Sequence, residues 1–346
     1  MSTARQRIRL PAEVFRQFSL EPASIEPLTG GLINWSFGAT RTDGTRCVLQ
    51  RVSSIFPEAI NDDIDAITQH LLAKGLVTPL LLRTVDGRNR VVSDGKVWRL
   101  LTRIEGVCHD AIPDDATARE AGRLLGRFHA ALADFRAPIA SQRLGVHDTQ
   151  RHLEHLRQTL TLEFQHRAHA AVSELAAQIF HLARIARPPP GLPDRMVHGD
   201  PKISNVLFAD DRAVCLIDLD TVARMPVALE LGDALRSWCN LSAEDAPESE
   251  FSLSRFNAAI EGYAEGSAGL LTPAEWSAIP AATLTIAVEL AARFGADALH
   301  ESYFAWDDSR YDSASDHNQA RTAAQIALAT SIEQALPEMQ KTVAEA

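Results

Sequence analysis

The 346-residue chain has no excess of positive charge: 34 Lys and Arg stand against 45 Asp and Glu, a formal net charge of −11. That shortage argues against a nucleic-acid partner, which calls for a basic face. A phosphate site is still allowed, because it needs only a few local cations. Cysteine is scarce. Cys47, Cys108, Cys215 and Cys239 form no C-x-x-C pair and stand too far apart for a zinc site. Reduced thiols in a cytoplasmic protein are the expected state. Met1 to Arg9 holds no apolar core, so no secretory leader is expected. No uninterrupted apolar run approaches the roughly 18–20 residues of a membrane span, and no membrane partner is expected. Internal repeats and low-complexity tracts are lacking too.

What is present reads as two lobes, which a chain of this length can support. Residues 1–103 are β-rich. Trp35 to Thr40 alternates at period two, Asp43-Gly44 marks a tight hairpin, and Arg46 to Val52 is the return strand. Pro57 is placed to start a helix that ends near Ala73. Asp86-Gly87 and Asp94-Gly95 bound two further strands, Asn89–Ser93 and Lys96–Thr102. The pattern predicts five strands with one helix between the third and fourth. Residues 104–346 are mostly helical. Ala121, Leu124, Leu125, Phe128 and Leu132 recur at helical spacing, two helices fit Arg151 to Arg187, and Pro188-Pro189-Pro190 ends them. After Leu229 the chain reads as helix, broken at 266–273 and 306–318. The fold class is α+β, with a small β-rich N-terminal lobe and a larger helical C-terminal lobe.

The chemistry lies in His198-Gly199-Asp200-Pro201-Lys202-Ile203-Ser204-Asn205, followed by Cys215-Leu216-Ile217-Asp218-Leu219-Asp220. H-G-D-x-x-x-x-N and then an apolar strand into Asp is the spacing of a protein-kinase catalytic loop. Phosphoryl transfer needs one carboxylate facing the nucleophile and oxygens holding Mg²⁺ against the phosphates. Asp200 is the candidate general base, and Asn205 and Asp218 are the candidate metal ligands. The plain alternative makes His-Gly-Asp a turn and Asp218 a strand-end carboxylate. The apolar lead, the spaced Asn and the hairpin favour the functional reading. His198 reads as structural, bonding backbone. Asp220, two residues past Asp218, is expected to touch a second metal or the substrate if the strand continues. Asp233 reads as a residue that caps or anchors the loop.

The N-terminal lobe carries weaker signals. Gly30-Gly31, with Asn34 close behind, suits a nucleotide-covering loop whose N–H groups approach phosphates, although most Gly-Gly pairs are only turns. No lysine stands in Cys47-Val48-Leu49-Gln50-Arg51, the strand where this kind of kinase keeps its phosphate-pairing Lys. Arg51 or Gln50 is expected in its place. The two lie on opposite faces, and charge favours Arg51. Glu58 or Asp62 on the next helix would be its acidic partner, unless these residues are only a solvated face.

With these residues in hand, the chain resembles the aminoglycoside phosphotransferase and choline kinase superfamily. Its nearest resemblance is to N-acetylhexosamine 1-kinase-like enzymes, carried by Leu49-Gln50-Arg51, Pro57-Glu58-Ala59, Trp98-Arg99-Leu100, Ile104-Glu105-Gly106 and Ile217-Asp218-Leu219-Asp220-Thr221-Val222. Glu289 to Phe294, Tyr303-Phe304, His317-Asn318 and Arg321 extend it to the C-terminal part. Pro201 stands where that group's loop has Thr. The resemblance implies a bilobal protein-kinase-like fold, ATP and Mg²⁺, and a small-molecule hydroxyl acceptor, a sugar phosphorylated at its anomeric hydroxyl. It also implies that Arg293 and Tyr303 sit at the sugar. Kinases for choline, an aminoglycoside or a thioribose share the chemistry. A nucleotide-binding pseudokinase is the alternative of another class: the missing lysine suits it, and the intact Asp–Asn–Asp set does not.

Overall fold

The computed structural model describes residues 10–28, 33–141, 147–187 and 190–346. A short helix, α1 (Ala12–Phe18), leads into an antiparallel sheet of β1 (Glu26–Pro27), β2 (Trp35–Thr40), β3 (Arg46–Arg51), β4 (Val91–Ser93) and β5 (Lys96–Thr102), ordered β1-β2-β3-β5-β4. Helix α2 (Ile60–Ala73) lies between β3 and β4 in sequence. Phe37, Ala39, Cys47, Leu49, Trp98 and Leu100 from the sheet share one buried cluster with Val14 and Phe18 of α1. Ile60, Ile64, Ile67 and Leu71 give α2 its buried stripe, which joins the core of the helical part. Helix α1 escaped the sequence reading because seven residues carry too little periodicity. Helix α2 starts three residues past Pro57, and the fourth strand is shorter than Asn89–Ser93.

The remainder is helical around two small two-stranded sheets. Asp114 accepts from Thr117 N (2.8 Å) and caps α3 (Asp115–Leu132). Next come α4 (Thr149–Leu162), α5 (His169–Leu182), β6 (Asp194–Val197), β7 (Val206–Ala209), β8 (Arg212–Leu216) and β9 (Ala223–Pro226). Helices α6 (Val227–Trp238), α7 (Leu253–Ser267), α8 (Pro273–His300) and α9 (Ala314–Glu345) complete it. The β7–β8 hairpin turns at Asp210 and Asp211, both at positive φ (49° and 61°), as a two-residue hairpin turn requires. Strand β6 pairs with β9 across 25 intervening residues, a non-local pairing that sequence periodicity does not announce. The helix expected to run on from Leu229 is interrupted at residues 239–252, where Asn240 and Phe251 form an isolated bridge.

Two features hold the helical part rigid. Helix α8 is long and apolar enough, by length and composition, to cross a membrane, yet 89% of its most apolar window is buried inside the protein. It is the core around which α4, α5, α6 and α9 pack. Helices α3 and α7 cross at glycines. A Cβ on Gly122 would stand 2.1 Å from Ala259 O, and one on Gly262 would stand 1.9 Å from Arg119 O. Gly126 and Gly266 repeat the contact one turn on. Neither backbone can yield without moving a helix. Gly262→Ala is therefore expected to destabilise the fold by roughly 3 kcal/mol, the upper range of core overpacking. Urea denaturation checks it: the midpoint should fall with an unchanged slope.

Candidate active site

The loop after β6 is shaped before any catalytic group is placed. Gly199 sits at φ +84°, and a Cβ there would lie 2.2 Å from Thr221 O, so only glycine fits. Beneath it lies Glu230 of α6, 1% exposed. Its Oε1 accepts from His198 N (2.7 Å) and its Oε2 from Gly199 N (2.8 Å). The ring of His198 fixes the next stretch. Asp200 N donates to its Nδ1 (3.3 Å), which leaves Nε2 to donate to Ile217 O (2.9 Å). Thr221 Oγ1 donates to His198 O and Trp238 Nε1 to Pro201 O, both at 2.9 Å. His198 thus bonds backbone. The loop's carboxylate anchor is Glu230, not Asp233, which lies one turn on and is held by Arg236 (2.7 Å).

Asp200, Asn205 and Asp218 come together at the loop's mouth. Lys202 Nζ donates to Asp200 Oδ2 (2.8 Å), and Asn205 Nδ2 donates to Asp200 O (2.8 Å) and Oδ2 (3.2 Å). Burial alone would depress the Lys202 ammonium, but the Asp200 carboxylate raises it above its ordinary value. Ile217 N donates to Asn205 O (2.9 Å) and ties the β8 end to the loop. Strand β8 stops at Leu216, and Asp218 adopts the left-handed conformation (φ 64°) before the 3₁₀ turn Leu219–Thr221. Burial, then Asp220 and Asp200, push the Asp218 carboxyl up, against the opposing pull of Arg99 and His198.

The donor set decides whether a divalent cation fits. Among the described residues no group of three or more His, Cys, Asp or Glu is arranged to hold a metal. Mg²⁺ does not require one, because it is held through one or two carboxylates, waters and substrate phosphates. Asp218 has no hydrogen-bond donor among the described residues, and the Asn205 amide spends its N–H on Asp200, leaving Oδ1 as an acceptor. A half-buried carboxylate without a donor beside a free amide oxygen fits that ion.

Asp220 departs from expectation. The strand does not continue, so Asp220 does not share a face with Asp218. Arg99 Nη1 donates to its Oδ1 (2.6 Å) and Nη2 to its Oδ2 (2.8 Å), while Asn34 Nδ2 reaches Oδ2 (2.5 Å). Both carboxylate oxygens are taken and the residue is 2% exposed, which stands against contact with substrate or metal. Asn34 is engaged there too: its Oδ1 accepts from Ser53 N (2.9 Å), so its side chain joins Asp220 to Ser53. Gln50 bridges Ser36 Oγ (3.0 Å) and Arg99 Nε (2.8 Å). Arg51, on the other face, lies 4.1 Å over the Trp35 ring. Glu58 and Asp62 pair with Arg90 (2.6 and 2.9 Å), Asp65 with Arg83, and Asp63 accepts from Ala140 N and Ser141 N, so the acids of this segment are bonded away from the site. Gly30 and Gly31 lie outside the described residues.

Arg293 and Tyr303 line a separate feature, a cavity of about 680 Å³ between α4 and the end of α8. Arg151, His152, His155 and His300 share its wall. Asp297 accepts from Tyr303 N (2.9 Å), Phe304 N (2.8 Å) and Asn318 Nδ2 (3.0 Å), and so fixes the loop that carries Tyr303. The Arg293 guanidinium faces the Phe304 and Tyr303 rings at 5.6 and 6.0 Å. Burial pushes the Asp233 carboxyl up, but Arg236, His147 and Arg293 together bring it below the usual range. Arg236 in turn feels Asp200. One run of charges therefore links the loop to the cavity. Sequence reasoning missed Glu230 and Arg99. Each is a charged residue at a buried position, in V-A-L-E-L-G of α6 and V-W-R-L-L of β5, and that mismatch was the available signal.

Comparisons with known proteins bear on the family and the fold. A family model described as "Phosphotransferase enzyme family" matches residues 24–265. A homoserine kinase of Rhizobium etli is 27% identical over 199 residues, covering 57% of this chain and 57% of its own length. The chain thus spans under two thirds of that relative. Among solved structures, an aminoglycoside phosphotransferase from Alicyclobacillus acidocaldarius superimposes with a TM-score of 0.64 at 17% identity, over 98% of this chain and all of that one. Amicoumacin kinase, solved with AMP-PNP and Ca²⁺, does so with a TM-score of 0.63 at 13% identity, over 91% of each chain. Both likenesses are likenesses of fold.

Asp218→Asn tests the charge balance of the site. A carboxyl whose folded pKa is raised contributes stability that is complete below its unfolded value of about 3.9, and loses it as pH rises through the folded value. As Asp218 ionises with rising pH it therefore weakens the metal-free fold. Asn is neutral and tolerates the left-handed conformation. In EDTA the variant is expected to melt above wild type at neutral pH, with the gain vanishing below the unfolded carboxyl pKa. Thermal melts across pH check it, and an equal or lower Tm at neutral pH contradicts it.

Proposed function

The chain belongs to the phosphotransferase enzyme family, and from that premise we propose that it is an ATP- and Mg²⁺-dependent kinase acting on a hydroxyl of a small molecule. The observation that carries the proposal is the convergence of Asp200, Asn205 and Asp218, with Asp218 lacking a hydrogen-bond donor among the described residues. Asp200 faces the acceptor hydroxyl and takes its proton as the acceptor oxygen bonds to the γ-phosphorus and the bond to the ADP oxygen breaks. Lys202 holds the Asp200 carboxylate in place. Asn205 Oδ1 and Asp218 would hold Mg²⁺, whose charge offsets that of the phosphates.

The acceptor reading rests on the cavity beside Arg293. Its wall sets Arg151 and Arg293, with three histidines, against two carboxylates, Glu154 and Asp297, and Asp297 already accepts from Tyr303 N, Phe304 N and Asn318 Nδ2. That wall disfavours polycationic acceptors such as aminoglycosides. The aspartates between 307 and 316 do not line that cavity. A sugar phosphorylated at its anomeric hydroxyl suits the Arg293 and Tyr303 wall, where fixed polar groups can select an epimer. Homoserine is the second reading, favoured by the kind of enzyme to which the aligned relative belongs. Location in the cytoplasm and the absence of nucleic-acid or membrane partners are part of the same proposal.

An acceptor panel with ADP release as readout tests this: N-acetylhexosamines, homoserine, choline and an aminoglycoside. Turnover with one of the first two is expected, and Asp200→Asn should lower kcat about 10³-fold with that acceptor, the range of a lost general base. Full turnover in Asp200→Asn would refute the mechanism, and ATP binding without turnover on any acceptor would favour the pseudokinase. Arg293→Ala is expected to raise the acceptor KM roughly ten-fold while the KM for ATP stays put. An unchanged acceptor KM would remove Arg293 from the acceptor site.

A further inference from the structure

We infer that Arg99 of β5, paired with Asp220, takes over the structural work that kinases of this fold give to a β3 lysine and a helix glutamate. In those kinases the lysine–glutamate pair must be formed before the nucleotide and metal groups are aligned. Here every element of that pair has another occupation. Strand β3 has no lysine, Arg51 stacks on Trp35, and Arg46 pairs with Glu105 (2.8 Å) at the surface. Asp62 of α2, and Glu58 just ahead of it, are bound to Arg90, Asp65 pairs with Arg83, and Asp63 accepts from Ala140 N and Ser141 N. Gln50 stands directly opposite Arg99 in the β3–β5 register and accepts from its Nε (2.8 Å). The cation has moved one strand across the sheet, and its carboxylate has moved from α2 to the turn after Asp218.

The geometry is that of a clamp. Arg99 and Asp220 meet fork to fork, at 2.6 and 2.8 Å, both at 2% exposure. A guanidinium fixes a carboxylate through two parallel bonds, which sets orientation as well as distance. Asn34 adds a third bond to the same carboxylate and ties it to Ser53. Sheet and helical part are thereby joined 121 residues apart in sequence, two residues from Asp218. Thr221, the next residue, is bonded to His198 O, so the same turn also reaches the catalytic loop. Arg99 is a positioning residue: it acts on Asp218 through Asp220. A consequence follows for control. A swing of α2 breaks no active-site ion pair in this protein, whereas separation of the sheet from the 219–221 turn does.

This rests on Asp218 as the metal-side residue, and the experiment separates the two ideas. Binding of Mn²⁺ with a non-hydrolysable ATP analogue is read by calorimetry, which needs no acceptor and no turnover. Asp218→Ala should weaken that binding at least ten-fold, and if it does not, the metal reading itself fails and the clamp with it. Arg99→Met/Asp220→Leu replaces the buried pair by apolar groups, a change that folds tolerate when no charge is left behind. The double variant is expected to melt near wild type and to bind the Mn²⁺–nucleotide about ten-fold more weakly. Wild-type binding in a folded double variant, with Asp218→Ala still weakened, overturns the clamp alone. Arg99→Lys keeps the charge without the fork and covers the case in which the double variant does not fold. It too should lose several-fold in binding, and wild-type affinity there likewise overturns the proposal.

Discussion

Four carboxylates crowd one corner of this protein, and the site depends on how each is satisfied. An ionised carboxylate taken from water must be paired or hydrogen-bonded, or its pKa rises. Glu230 is satisfied by the backbone N–H groups of His198 and Gly199. Asp220 is satisfied by Arg99 and Asn34. Asp200 has Lys202 and the Asn205 amide. Asp218 has no donor among the described residues, and its carboxyl is pushed up by burial and by its acidic neighbours. The one unsatisfied member is the one whose place in the loop calls for a cation.

The scaffold explains why this arrangement can persist. Helix α8 fills the centre, and its capping glutamate, Glu275, also receives Arg195 of β6, the strand that feeds the catalytic loop. Helix α6, packed on α8, delivers Glu230 from below the loop, Trp238 to Pro201, and Asp233 towards the cavity side. The loop is therefore gripped from one face by a single rigid helix. The 217–221 segment holds it as well, through Ile217 and Thr221, and that segment is tied to the sheet by Arg99 and Asn34. Positions set by packing against a core helix resist local distortion in a way that loop-on-loop contacts do not.

Much of this was legible in advance, and the misses share a cause. The strands β2, β3 and β5 stood in the alternation and the turn residues, which act within a few positions. The spacing of Asp200, Asn205 and Asp218 is also local, so their convergence followed from the sequence. The pairing of β6 with β9, the contact of the α3 and α7 glycines, and the partners of Asp220 all join distant segments. Asp220 was misread for a stated reason: the strand was assumed to run through Asp218, whereas a left-handed residue there turns the chain and sends Asp220 to the opposite lobe. The cation was sought on β3 because one strand at a time was considered, and sheet register brought in its neighbour.

The sequence by itself determined the reaction class, because the residues proposed to accept a proton and to hold a metal lie close in the chain at fixed spacing. It also determined the element types, because periodicity and turn chemistry are short-range. Only the tertiary structure decided which carboxylates remain available. Asp218 is left without a donor among the described residues and Asp220 is spent on Arg99, 121 residues away in sequence. Two aspartates two residues apart differ in role because burial and partners, not residue type, set what a carboxylate can do.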